Sequence, residues 1–231
     1  MKILMIDDDE SMQALVSTLV KATGYDFAGL LDGAGALEAV QQHQPDLILL
    51  DVVMPSCDGF EVCRTLRASG VTVPIIFLSA KGDIFDKMVG FQAGGDDYFA
   101  KPFEPQELLL HIQSFLRRER QASRMREEKQ NVGTLKLDRF EFDQAKFIVR
   151  KDGTPIQLTP KEFNILFTLA CNANEVVSQQ QLVETAWGEE YQGEITSLAV
   201  YARRIRKKVE DDPSNPEHLV TCWGSGYMWQ S

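Results

Sequence analysis

The chain is poor in cysteine and histidine and has no long apolar run. Its four cysteines, Cys57, Cys63, Cys171 and Cys222, form no CxxC pair, and with the three histidines they make no metal-like cluster. A disulfide-stapled secreted scaffold and a zinc module are therefore disfavoured, and reduced thiols in a cytoplasmic protein are the expectation. No apolar stretch approaches the roughly 18 residues needed to cross a membrane. The amino terminus offers one lysine before reaching the acids at Asp7, which is not the pattern of a secretory signal. Arg117–Asn131 holds a single large apolar residue, Met125, among many charges. It cannot supply a core and reads as a solvated linker, helical at its start.

What is present is 231 residues with 44% hydrophobic content, enough for two domains with cores. The net charge of −10 is unevenly spread. Residues 1–120 carry 10 lysines and arginines against 18 acids, and residues 121–231 carry 14 against 16. Within the second part, Ile195–Glu210 has five basic residues and one acid. An acidic chain with one basic helix points to a local nucleic-acid footprint rather than a general affinity for polyanions.

In the first half, polar residues sit where apolar runs end. Asp7 and Asp8 follow Lys2–Ile6, Asp51 follows Leu47–Leu50, Ser79 follows Pro74–Leu78, and Lys101 follows Tyr98–Ala100. Each run reads as a strand buried on both faces, as in a parallel sheet. Helical patterns alternate with them, the first placing Met12, Leu15, Val16, Leu19 and Val20 on one face. Five such βα units predict a doubly wound, flavodoxin-like α/β fold. The carboxyl ends of its strands form the ligand crevice, so three carboxylates, a hydroxyl and an ammonium converge there. Crowded carboxylates repel unless a cation holds them, and hard oxygens suit Mg²⁺. Asp9 starts the first helix, where capping explains it.

The second half changes rhythm. Leu135–Leu137, Glu141–Phe142, Phe147–Arg150 and Ile156–Leu158 read as a small antiparallel sheet. Thr159-Pro-Lys-Glu162 and Ser178-Gln-Gln-Gln181 are capping boxes that open two helices. A third helix runs from about Thr196 to Glu210, with Leu198, Ala202, Ile205 and Val209 inward and Arg203, Arg204, Arg206, Lys207 and Lys208 covering most of the remainder. Leu219–Cys222 and Tyr227–Trp229 enclose Trp223-Gly-Ser-Gly226 as a hairpin.

The strand-end set in residues 1–120 resembles the receiver domain of two-component response regulators. Residues 132–231 resemble the winged-helix effector of the OmpR/PhoB family, through Leu158-Thr-Pro-Lys-Glu-Phe163, Val177-Ser178, Trp187-Gly188, Arg203–Lys208, Asp211-Asp-Pro213 and Gly224–Tyr227. Residues 121–131 would join the two. The resemblance implies a five-stranded parallel receiver followed by an α+β winged helix. In it Asp51 is the phosphoacceptor, and Asp7, Asp8, Asp51 and the backbone carbonyl of Val53 hold Mg²⁺. Lys101 neutralises the phosphoryl group, Ser79 is the switch hydroxyl and Tyr98 the aromatic that moves with it. Pro102 resembles the family's cis proline. The implied partners are a sensor histidine kinase, promoter half-sites of double-stranded DNA, RNA polymerase, and a second copy of the chain on activation. The chain would assist its own modification without turning over a substrate, so it is not expected to be an enzyme.

On the third helix the resemblance makes Arg204 the base reader. It makes Arg203, Arg206 and Lys207 phosphate contacts and lets Thr196 and Ser197 donate to phosphate. The sequence departs from the family pattern in three places. Trp223, counted among the DNA-binding positions, stands in the wing where an arginine is usual; packing on sugars, packing inward and meeting another protein are all open to it. Thr196, Ser197, Ala199 and Tyr201 replace the usual start of the recognition helix, so a different target sequence is expected. The receiver dimer face has Lys87, Asp96, Asp97, Glu107 and Arg118, but His111 replaces an arginine, which predicts a weaker or pH-sensitive contact. Two other readings stay open: a DNA-binding regulator that works without phosphorylation, and an effector that meets a protein and barely touches DNA.

Overall fold

A computed structural model describes residues 1–79, 84–128, 134–144, 146–187 and 196–231, with side chains left out for 84–88, 118–128 and 196–197. The chain divides into two compact units, Met1–Leu116 and Arg117–Ser231.

The first unit is built from β1 (Lys2–Ile6), α1 (Glu10–Ala22), β2 (Asp26–Leu30), α2 (Ala36–His43), β3 (Leu47–Asp51), a two-residue hairpin of β4 (Val53–Met54) and β5 (Cys57–Asp58), α3 (Gly59–Ala68), β6 (Ile75–Ser79), α4 (Ile84–Ala93), β7 (Asp97–Ala100) and α5 (Pro105–Glu128). The large strands pair in parallel in the order β2-β1-β3-β6-β7. The strand order reverses between β1 and β3, the topological switch point where doubly wound sheets open their crevice. Ile3–Ile6, Leu47–Leu50 and Ile75–Leu78 are at most 1% exposed, as strands covered by helices on both faces must be. One core lies between the sheet and α2 and α3, and the other between the sheet and α1 and α5.

α1 begins where Asp9 Oδ1 accepts from the amides of Ser11 and Met12 at 2.9 and 3.0 Å, the capping role its position suggested. α5 continues to Glu128, through most of the stretch that reads as linker. Its apolar poverty excludes a core there but not a helix: Arg117–Glu128 has no glycine or proline and is rich in arginine and glutamate, both good helix formers.

The second unit opens with an antiparallel sheet of β8 (Leu135–Leu137), β9 (Phe140–Asp143), β10 (Ile148–Lys151) and β11 (Thr154–Ile156), in the order β11-β10-β9-β8. β11 ends where the Ile156–Leu158 run was expected to begin; Leu158 is buried just ahead of the next helix. Then follow α6 (Pro160–Cys171), β12 (Val177–Ser178), α7 (Gln179–Trp187), α8 (Thr196–Val209), β13 (Leu219–Cys222) and β14 (Gly226–Trp229). β13 and β14 form a hairpin with β12 on its other edge. At its tip Ser225 N donates to Cys222 O at 3.0 Å. Gly224 takes φ +76° there, a conformation that favours glycine.

Candidate functional site

β1, β3 and β7 deliver Asp7, Asp51 and Lys101 to the carboxyl edge of the sheet. Lys101 Nζ lies 2.8 Å from Asp7 Oδ2 and 2.8 Å from Asp51 Oδ2. Asp7 is fully buried and Asp51 is 5% exposed, whereas Asp8 faces solvent. Carboxylate oxygens of Asp7, Asp8 and Asp51 all lie within 4.8 Å of one another, the one such acidic grouping among the described residues. One ammonium against three carboxylates leaves excess negative charge. The donors are all hard oxygens, with one acid open to solvent, a set that fits a divalent cation such as Mg²⁺.

Burial pushes the Asp51 carboxyl above its ordinary range; the bond and charge of Lys101 oppose this, and the Asp7 charge adds to it. Burial works against the Lys101 ammonium, but its bonds to Asp51 and Asp7 outweigh this and hold its pKa above the usual value. The other Asp51 oxygen accepts from Val53 N at 3.3 Å, which fixes residue 53 beside the site. α3 starts close against this strand end: Gly59 N donates to Val52 O at 2.9 Å, and a Cβ on Gly59 would fall 2.0 Å from Asp51 O. Lys101 N donates to Ser79 O at 2.7 Å, tying the lysine's strand end to the serine's. Ser79 is fully buried, and Tyr98 is half-buried against the core. The Lys101–Pro102 peptide is cis.

Gln13 escaped the sequence reading. Its amide donates to Asp7 O at 2.7 Å and Leu30 O at 2.8 Å, joining α1 to the ends of β1 and β2. The signal was a glutamine on the buried side of an amphipathic helix, where a polar group needs partners.

The acids ahead of and within β7 separate. Asp97 Oδ2 lies 3.3 Å from His111 Nε2 of the same chain, and the His111 ring packs on Phe99. Asp96, read as part of the same outer face, is instead 1% exposed. Its Oδ2 accepts from Arg67 Nη2 at 2.7 Å and Ile75 N at 3.0 Å. A buried carboxylate held from inside is a structural tie, not a surface charge. Glu107 is exposed in the first turn of α5. The side chains of Lys87 and Arg118 lie outside the described residues.

On α8 the arginines differ in how they are held. Leu198, Ala202, Ile205 and Val209 face inward as expected, each at most 2% exposed. Arg204 does not point out: its side chain is 11% exposed, Nη2 is 2.8 Å from Glu162 Oε1, and the guanidinium lies over the Tyr201 ring at 4.8 Å. Arg206 turns to the hairpin, donating to Leu219 O at 2.8 Å and Thr221 Oγ1 at 2.7 Å. Both guanidinium groups have partners within the protein. Tyr201 is fully buried against Trp187. Among the described residues of α8 the exposed ones are Ala199, Arg203, Lys207 and Lys208, of which the first three are successive i, i+4 neighbours on one stripe. Thr196 and Ser197 begin the helix, and their side chains lie outside the described residues. Trp223 at the hairpin tip is 93% exposed, so inward packing is excluded.

These features define a class: an α/β unit with an acid–lysine pocket joined to a winged helix. Residues 3–113 match the response regulator receiver domain family, and residues 153–229 match the family of transcriptional regulatory protein C-terminal domains. The chain is 38% identical to the DNA-binding response regulator MtrA of Mycolicibacterium smegmatis, over 98% of this chain and 95% of that one. It is 37% identical to MtrA of Mycobacterium tuberculosis with the same coverage. Among solved structures, a mutant of RitR covers all of this chain and 99% of its own, with a TM-score of 0.81 at 22% identity, a likeness of fold. The chain belongs to the OmpR/PhoB family of response regulators.

Proposed function

We propose that this chain is a phosphorylation-controlled transcriptional regulator whose phosphoacceptor is Asp51. The observation that carries the reading is the Lys101 ammonium, 2.8 Å from both Asp51 and Asp7 at the carboxyl edge of the sheet. The Asp51 carboxylate attacks the phosphorus of a phosphohistidine on a sensor kinase; a P–O bond forms and the P–N bond breaks. Lys101 offsets the negative charge on the transferring oxygens. Asp7, Asp8, Asp51 and the Val53 carbonyl would hold Mg²⁺, which neutralises charge on the phosphoryl oxygens when bound. The acceptor is modified stoichiometrically, so the chain regulates rather than catalyses turnover.

The new acceptor oxygens draw the Ser79 hydroxyl, Tyr98 follows, and the face of Lys87, Asp97, Glu107, His111 and Arg118 pairs with a second copy. Two copies place two winged helices on adjacent half-sites of double-stranded DNA, with RNA polymerase as the further partner. On each, the Ala199–Arg203–Lys207 stripe enters the major groove, while Thr196 and Ser197 donate to phosphate. The reading places these events in the cytoplasm. No helix among the described residues is long and apolar enough to cross a membrane.

The test is intact mass after incubation with Mg²⁺ and acetyl phosphate, wild type against Asp51→Asn. One phosphoryl adduct in the wild type and none in the variant is expected. A folded wild type that takes no phosphoryl group from acetyl phosphate or from a phosphohistidine donor would refute it and favour regulation without phosphorylation. The exposure of Trp223 favours a second reading of the effector, as a protein-binding surface. Wild-type binding to random duplex that ignores salt would support that reading over DNA.

A further inference from the structure

Five basic side chains on α8 suggest a broad phosphate-binding surface, but three of them are tied to partners within the protein. Arg206 anchors the hairpin. The other two, Arg204 and Lys208, are i, i+4 neighbours aimed at one carboxylate, Glu162 of α6. Glu162 Oε1 is 2.8 Å from Arg204 Nη2, and Oε2 is 2.6 Å from Lys208 Nζ. The same Oε2 accepts from Thr159 N at 2.8 Å, completing the cap that starts α6. Capping alone does not call for burial, since such boxes normally sit at a solvated helix end; yet Glu162 is fully buried. Burial opposes its ionisation, but the charges of Arg204 and Lys208 and the bonds from Lys208 and Thr159 overcome this and keep the carboxyl below its ordinary range. A buried ion cluster is a weak source of net stability, because an apolar replacement often does as well. Its role therefore lies in what it does with the cations.

We infer that Glu162 acts as an internal substitute for DNA phosphate, withholding Arg204 and Lys208 from the duplex and so limiting affinity for DNA of any sequence. The inference rests on the winged-helix reading above. Lys208 is the cation in competition: its side chain is 33% exposed, and its flexible stem could reach a phosphate were the carboxylate not nearer. Non-specific affinity grows with each phosphate neutralised, whereas a regulator depends on the ratio of specific to non-specific binding. By leaving Arg203 and Lys207 outward and tying the parallel pair to Glu162, the chain keeps that ratio high. Glu162 is a positioning residue; it touches no base.

The test uses the full-length protein and a fluorescein-labelled duplex of random sequence, with anisotropy read across a salt series. Arg203→Ala and Lys207→Ala should each flatten the dependence of log Kd on log salt by about 0.9. Lys208→Met should leave it unchanged. Glu162→Gln keeps a capping side chain but removes the charge; it should steepen the slope by about one to two and tighten binding roughly three- to tenfold at low salt. A merely structural Glu162 would weaken binding without steepening the slope. That outcome, or a Lys208→Met slope flattened like that of Lys207→Ala, overturns the inference. If Glu162→Gln does not fold, the lysine and arginine variants decide it alone. A wild type that shows no salt-dependent duplex binding would instead refute the winged-helix reading itself, and the inference with it.

Discussion

Replacing Lys101 with methionine tests the receiver site most directly. The change keeps the length of the side chain and removes the ammonium bonded to Asp7 and Asp51. Asp7 is fully buried and Asp51 nearly so, which leaves two charges facing each other without the cation that joined them. Breaking a buried pair in this way costs about 3–5 kcal/mol. The lower end applies, because the Lys101 side chain is 22% exposed and water can reach the gap. A loss of about 3 kcal/mol corresponds to roughly 10–15 °C in Tm for a unit of this size. All three tryptophans, Trp187, Trp223 and Trp229, lie in the second unit, so the two units can be followed separately. In chelator, the receiver transition seen by far-ultraviolet dichroism should move down while the tryptophan-fluorescence transition stays in place. Adding Mg²⁺ should restore about 2.7 kcal/mol at a hundredfold excess over its Kd, and more than it adds to the wild type. The pH dependence has a definite sign. Asp51 is held above its ordinary pKa, so its proton uptake favours the fold below that range and is lost as pH rises through the folded value. Removing Lys101 takes away a cation that opposes the shift, so the deficit of the variant should be largest at neutral pH and shrink as pH falls. A variant that melts with the wild type in chelator, or a deficit that ignores Mg²⁺, would refute the charge argument.

Arg67→Met should cost the receiver about 3–5 kcal/mol in urea denaturation, because it strands buried Asp96 and drops bonds to the carbonyls of Gly94, Val71 and Val73; adding Asp96→Asn should recover much of this. Arg206→Met should cost the effector about 1.5–3 kcal/mol by detaching α8 from Leu219 and Thr221, read by tryptophan fluorescence. Trp223→Ala should leave stability within about 0.5 kcal/mol of wild type. It should also abolish iodide quenching, since Trp187 and Trp229 are 2% and 0% exposed.

The receiver was legible because its signals are local. The runs that became β1, β3 and β6 are apolar on both faces and end in the acids or serine that line the crevice, so strand and site residue are written side by side. What escaped depends on facing. Asp96 and Asp97 are adjacent letters, and nothing in them shows that one is drawn inward to Arg67 while the other meets His111. Gln13 looks like filler until its position on the buried side of α1 brings it to two strand-end carbonyls.

The basic helix shows the limit from the other side. Composition counts five cations on α8, and alignment by motif picks Arg204 as the reader, but neither reveals which cations already have a partner. That partner is Glu162, 46 residues from Lys208 in the chain and placed by the start of a different helix. Arg203 and Arg204 sit one residue apart, about 100° around the helix, so one faces solvent while the other reaches Glu162. The departure at Tyr201 changes meaning for the same reason. A fully buried ring against Trp187 and Arg204 cannot read a base, so its effect falls on how the helix is held rather than on what it contacts. On the function proposed above, the selectivity of this effector for its operator would rest on the short outward stripe of Ala199, Arg203 and Lys207. An alanine there suits a thymine methyl and an arginine suits a guanine edge. Exchanging Ala199 for aspartate should accordingly change which duplexes are selected from a random pool while leaving the fold intact, and an unchanged selection would show that the stripe is not the reading face.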